Sequence, residues 1–310
     1  MSSIVEFIKS IKSYFSQINS SLLGNILTIA VIIGLVNIDL NRIAVNQSLN
    51  KPLGIIYTER VLDKGKFQVI YSPLKQESFV NIQERFQKEQ SFETVAQALS
   101  KIFIMPRDIN IILGDCGFIN AYYKPSAHSI YMCYEIMQSF TERFIEYYKA
   151  NNYNINQPQV ADEIAQRVAG TIIFSLFHEL GHLLIGELDL PVIGKEEDAV
   201  DEFSTLLLSE LGQEKANLAA ALQFAVAGNQ EMTIANQSLH FWEEHSLSMQ
   251  RFYSLICLVY GKDYQKYASL VKEVGIPEIR QKKCQIDYNR KRKAWHTLLK
   301  PHLHAGVHLL

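Results

Sequence analysis

The chain has 310 residues, with 30 Lys and Arg against 32 Asp and Glu and a hydrophobic fraction of 48%. That balance suits a folded protein of one large or two small domains. A net charge of −2 gives no electrostatic footprint for nucleic acid, so no nucleic-acid partner is expected.

Residues 1–39 begin with Ile4, Ile8, Ile11, Phe15 and Ile18 at helical spacing, with Lys9 and Lys12 between them, which suits a helix lying at a membrane surface. Leu22 to Val36 then run for 15 residues without a charge, a length between a signal-peptide core and a full span. No small-x-small cleavage site follows. The segment therefore reads as a single N-terminal membrane-anchor helix, with a cleaved signal and a secreted product as the alternative. Lys9 and Lys12 against a single Glu6 favour an inside N-terminus, which puts the main domain on the periplasmic or cell-surface side.

Residues 40–62 read as a polar linker marked by Pro52 and Gly54, and 63–300 as the main domain. KFQVIY (66–71) is β-branched and aromatic and predicts a strand; residues 75–103 carry one long helical pattern; DINIIL (108–113) predicts a second strand. Residues 120–135 predict a turn at Lys124-Pro125-Ser126 and then a strand through Ile130 and Met132. A helix is expected from about 135 to 149, and Pro158 opens the next after a loop. Onward the pattern is helical, broken at Pro191/Gly194, Gly228, Gly261 and Pro277, with 301–310 as a tail. Arg290 to Lys293 form a basic run that reads as a solvated helix face. Strands early and helices late argue for an α+β fold with a small N-terminal mixed sheet and a mostly helical C-terminal half.

Four cysteines fall in two local pairs, 17 and 27 residues apart. In an exported domain Cys116–Cys133 and Cys257–Cys284 are the natural disulfides among three connectivities; four buried thiols are the alternative.

The chemistry concentrates in HELGH, residues 178–182. On a helix His178 and His182 lie one turn apart on one face, so both imidazoles reach a single ion. The surrounding Ile172, Ile173, Phe174, Leu176, Phe177, Leu180, Leu183 and Leu184 make the helix apolar almost all round, which places it inside the protein. Two histidines and a carboxylate in one buried turn are costly unless something compensates them, and a divalent metal does. The following GKEEDAVDEFSTLLL supplies a third ligand. On its helical wheel Glu197 shares the inward face with Val200, Ser204 and Leu207, and Asp201 follows one turn on. Asp201 is placed to accept a hydrogen bond from the far nitrogen of a ligand histidine. Glu196 and Asp198 are explained by the helix dipole alone.

These motifs resemble the gluzincin metallopeptidases, which read H-E-x-x-H and then E-x-x-x-D on the next helix. The membrane gluzincins of the CAAX prenyl protease type are similar in two further respects. They carry an Asn-Ala-aromatic stretch leading into an edge strand, as in Asn120-Ala121-Tyr122 and the strand to Met132. They also carry a His with an Arg six residues later, as in His245 and Arg251. This chain lacks their proline after that His and their multi-span body, so prenyl-protein processing does not transfer. A closer resemblance, over roughly residues 60–300, is to a bacterial metallopeptidase family. It follows the same order of Cys116-Gly117-x-x-Asn120-Ala121, Cys133-Tyr134-Glu135, HELGH and FWEEHSL…QRFYSLICLVYG (241–261).

The resemblance implies a zincin-like metalloprotease domain holding a single zinc ion through His178, His182 and Glu197. Glu179 becomes the general base that takes a proton from the attacking water. His245 becomes the donor to the developing oxyanion, with Asp201 and Arg251 behind the ligands. Ser129, Ile130, Tyr131 and Met132 become the edge strand on which a peptide or protein substrate lies. Two alternatives use the same residues: a membrane-anchored peptide-binding or scaffolding module with a structural zinc, and a zinc hydrolase of non-peptide amides. A purely structural zinc is usually closed by four protein ligands and has no need of Glu179.

Overall fold

The computed structural model describes residues 65–234 and 241–310. The expected surface helix, anchor and linker, residues 1–62, lie outside the described residues.

Four short strands form one mixed sheet: β1 (Phe67–Tyr71), β2 (Ile109–Gly114), β3 (Ala121–Lys124) and β4 (Ser129–Cys133), in the order β1-β2-β4-β3. β1 and β4 flank β2 in parallel, while β3 pairs antiparallel with β4 in the register Ala121↔Met132 to Lys124↔Ser129. Ile109, Ile111, Leu113, Ile130 and Met132 alternate onto the buried face, as period-2 strands require. This order corrects the expected substrate strand. Ser129, Ile130, Tyr131 and Met132 are paired on both sides, so β4 is internal and β3 is the edge. β3 was legible only as the approach to a turn, because four residues reading Ala-Tyr-Tyr-Lys carry no alternation; pairing with β4 makes them a strand.

The long pattern at 75–103 is also two elements, α1 (Val80–Glu89) and α2 (Ser91–Ile102). Ile82 and Phe86 set one buried stripe, but the next buried residues, Phe92, Val95, Leu99 and Ile102, are out of phase with it. One straight helix cannot bury both stripes, so the chain turns at Gln90, left-handed at φ 52°. Phe86 and Phe92 then meet edge to face at 4.9 Å.

The body is helical: α3 (Tyr134–Ala150), α4 (Pro158–Leu188), α5 (Glu196–Glu210), α6 (Glu214–Ile234), α7 (Ser248–Lys262), α8 (Ala268–Glu273) and α9 (Glu278–Leu299). α4 is the axis of the fold, with α3, α5, α6, β3 and β4 packed around it. It is long and apolar enough to cross a membrane, yet 89% of its apolar window is buried inside the protein, so it is the core helix. Gly228, expected as a break, lies inside continuous α6. A Cβ there would stand 2.5 Å from Met249 Cγ, so this glycine serves the close approach of α7 instead.

Both expected disulfides form, with Cα–Cα separations of 5.5 Å for Cys116–Cys133 and 5.1 Å for Cys257–Cys284, and the described residues include no free cysteine. The expected tail is part of the packing. Leu303, Leu309 and Leu310 are buried, and Ile104 N–H donates to the His302 carbonyl at 2.8 Å.

Candidate metal centre

His178 and His182 project from one face of α4 toward the first turn of α5. Their Nε2 atoms lie 3.1 and 3.5 Å from the two carboxylate oxygens of Glu197. Each Nδ1 is held from behind: His178 by Asp201 Oδ1 at 2.8 Å, His182 by Glu196 Oε1 at 2.7 Å. Arg251, from α7, grips Asp201 with two bonds, Nε to Oδ2 at 2.7 Å and Nη2 to Oδ1 at 2.8 Å. The guanidinium also lies 4.0 Å over the Phe224 ring. Gly181, inside the motif, lets α5 come this near. A Cβ at that position would meet Val200 Cβ at 2.8 Å.

The charges in this cluster set one another. Burial pushes the His178 imidazolium toward losing its proton, but the bonds to Asp201 and Glu197 win and raise its pKa to about 9. Burial likewise pushes Glu197 up, while His178, His182 and His245 hold it well below the usual carboxylate range. Asp201 is desolvated too, and Arg251 and His178 bring it down to about 2. Glu179 moves the other way: its burial outweighs the nearby imidazoles and raises its pKa.

His245 reaches the same point from the segment before α7. Its Nε2 stands 2.8 Å from Glu197 Oε2 and its ring stacks near that of His178, with centroids 6.1 Å apart. Donor atoms of His178, Glu197 and His245 all lie within 4.8 Å of one another. His245 is half exposed at the mouth, whereas His178 is buried, so the imidazoles of α4 form the inner part of the site.

Glu179 faces the edge strand. Its Oε2 accepts the Tyr123 N–H at 2.8 Å, which shows that the outward main-chain groups of β3 point into the site. Tyr123 is tied a second time to α4, its hydroxyl donating to Glu187 Oε1 at 2.7 Å. A cavity of about 1110 Å³ opens here, between β3, α3, α4 and α6. The histidines, Glu179 and Glu197 line one side, Ile136, Phe140, Phe174 and Phe224 line another, and Trp242 stands at the rim.

Two imidazoles with carboxylates on their outer nitrogens, and a third carboxylate between their inner ones, make a donor set able to hold a metal ion. Two residues in this arrangement were not legible in the sequence. Glu196 looked like a dipole-stabilising residue, and only the turn of α5 onto His182 reveals its bond. The main-chain N–H of Tyr123 carries no sequence signal, since any residue but proline supplies one.

A small mixed sheet, a buried helix with HELGH and an acidic partner helix beside an open cleft together define an α+β protein with a His/Glu cluster able to hold a metal ion. The chain belongs to the family described as "Putative metallopeptidase", whose family model matches residues 71–299. No curated protein and no solved structure matches the chain.

Proposed function

We propose that the protein is a zinc-dependent metallopeptidase with a zincin-like catalytic domain. The observation that carries this reading is the convergence of His178, His182 and Glu197, with Glu179 held beside them by the edge strand. Zinc bound by those three residues would supply a Lewis acid for the scissile carbonyl and acidify the attacking water.

The remaining steps belong to the chain's own groups. Glu179 is fixed through Oε2 by Tyr123 N–H, leaving Oε1 to receive the water's proton and pass it to the leaving amine. Burial raises its proton affinity and suits it to both transfers. His245 at the mouth donates to the developing oxyanion. Asp201 and Glu196 hold the imidazoles in the orientation that turns Nε2 inward, and Arg251 anchors Asp201. An extended peptide lies along the free edge of β3, pairing with the outward main-chain groups of Ala121 and with the Tyr123 carbonyl, since the Tyr123 N–H is held by Glu179. Two disulfides support a body that works outside the cytoplasm, carried there by the apolar N-terminal run.

The test is metal content, then turnover. Purified wild type should carry about one zinc per chain by the ligand count of such sites, and the His178→Ala, His182→Ala double variant none. Glu179→Gln should keep the zinc and lose peptide cleavage. Absence of zinc from wild type after zinc is added back at neutral pH would overturn the reading. Zinc retained together with peptide binding that Glu179→Gln leaves untouched, and no cleavage by wild type, would favour the peptide-binding module.

A further inference from the structure

The basic run Arg290–Lys293 divides on folding. Lys291 pairs with Glu202, and Arg292 pairs with Glu210 at 3.2 Å, so these two lie against α5. Arg290 and Lys293 point the other way and are exposed, as are Lys282 and Lys283 two turns earlier. At 100° per residue, these four cations fall within roughly 60° of Ile279 on the helical wheel, and Ile286 lies between them. Cys284, Tyr288, Trp295 and Leu299 occupy the opposite, buried face. The outer face of α9 is therefore a stripe about 21 Å long, with four cations around two isoleucines. Ile279 is 73% exposed and Ile286 is 49% exposed. The nearest carboxylates on the helix, Glu278 and Asp287, sit at the flanks, and Asp287 is paired with Arg280.

A merely solvated face has no use for two isoleucines at its centre, and usually mixes both signs of charge. A phosphate backbone would explain the cations and leave the isoleucines idle. An anionic bilayer uses both: lipid phosphates meet the Lys and Arg heads, while the isoleucines enter the acyl boundary between them. We propose that this face of α9 docks the folded body on an anionic lipid surface. No residue of α9 lines the catalytic cavity, so the docked protein keeps its cleft open. The inference does not depend on the peptidase reading. It agrees with the charge-free run Leu22–Val36, which would hold the body near a bilayer and raise the effective concentration of a weak contact.

The experiment uses the full chain, so that any N-terminal tether is common to every arm. Ile286→Trp places a fluorophore on the stripe, and the unsubstituted chain corrects for the native Trp242 and Trp295. Vesicles of phosphatidylcholine alone are compared with phosphatidylcholine mixed with phosphatidylglycerol. A blue shift of the added tryptophan on the anionic vesicles only, abolished by high salt and by Lys282→Glu with Arg290→Glu, is the expected result. These positions are exposed, and unchanged thermal unfolding would verify that the variants fold. Equal emission on both vesicles, a shift that survives charge reversal, or a response to double-stranded DNA but not to vesicles would each overturn the proposal.

Discussion

At His178, desolvation disfavours the imidazolium while Asp201 and Glu197 favour it, and the balance rests at a pKa of about 9. The folded value lies above the ordinary 6.5, so in metal-free protein this proton stabilises the fold fully below about 6.5. That contribution is lost as pH rises toward about 9. Metal-stripped protein should therefore lose thermal stability across this window. Zinc-loaded protein should not show that loss, because a ligated imidazole has already given up its proton. Unfolding scans of both forms between pH 6 and 9 check this. Asp201 works in the same cluster as the partner that orients His178. Replacing it with Asn keeps the shape but weakens the hold on both His178 and Arg251. Asp201→Asn should lower zinc affinity by roughly 10- to 100-fold, measured by competition with a chelator, while His245→Ala should leave zinc content unchanged and reduce turnover.

Two elements must approach closely for these residues to meet. α5 reaches α4 over Gly181, where a Cβ would come within 2.8 Å of Val200 Cβ. Gly181→Val would push the helices apart by an overpacking that costs about 1–3 kcal/mol, moving Glu197 away from both imidazoles. The expected outcome is a lower melting temperature together with lost zinc, although every ligand is retained. β3 is clipped to the same helix by Tyr123, through its N–H to Glu179 and its hydroxyl to Glu187. Tyr123→Phe removes only the second bond and leaves the buried Glu187 carboxylate with one partner fewer, at a cost of about 1.5–3 kcal/mol. Zinc content should hold, and the Michaelis constant for an extended peptide should rise as the edge strand loosens.

For the molecule as a whole, the two disulfides close loops of 17 and 27 residues. Loop-closure entropy makes each worth roughly 3 kcal/mol, so reduction with dithiothreitol should lower the melting temperature markedly. The Cys116–Cys133 bridge has a local duty as well. It joins the entry to β3 with the end of β4, and Glu135 receives the Cys116 and Gly117 N–H groups at 3.1 and 2.6 Å. The reduced protein should therefore show faster amide exchange at 116–124 than at the ligand helix.

The sequence by itself determined the parts that depend on short range. HELGH on a helix puts two imidazoles on one face because the periodicity is 3.6, and the apolar run around it requires burial. The wheel of α5 singled out Glu197 and Asp201 for the same reason, and local cysteine spacing indicated the disulfides. Tertiary structure alone decided what depends on partners distant in the chain. β3 became the edge strand by pairing with β4 and accepting a place beside Glu179, which no pattern of four residues specifies. The break at Gln90 follows from two buried stripes out of phase, visible once the core they share is known. Glu196 joined His182 because α5 turns onto α4, and the closing residues 301–310 packed because the loop after α2 offered them main-chain partners. Periodicity is written in neighbours; pairing, approach and edge are set by contacts between residues that only the fold brings together.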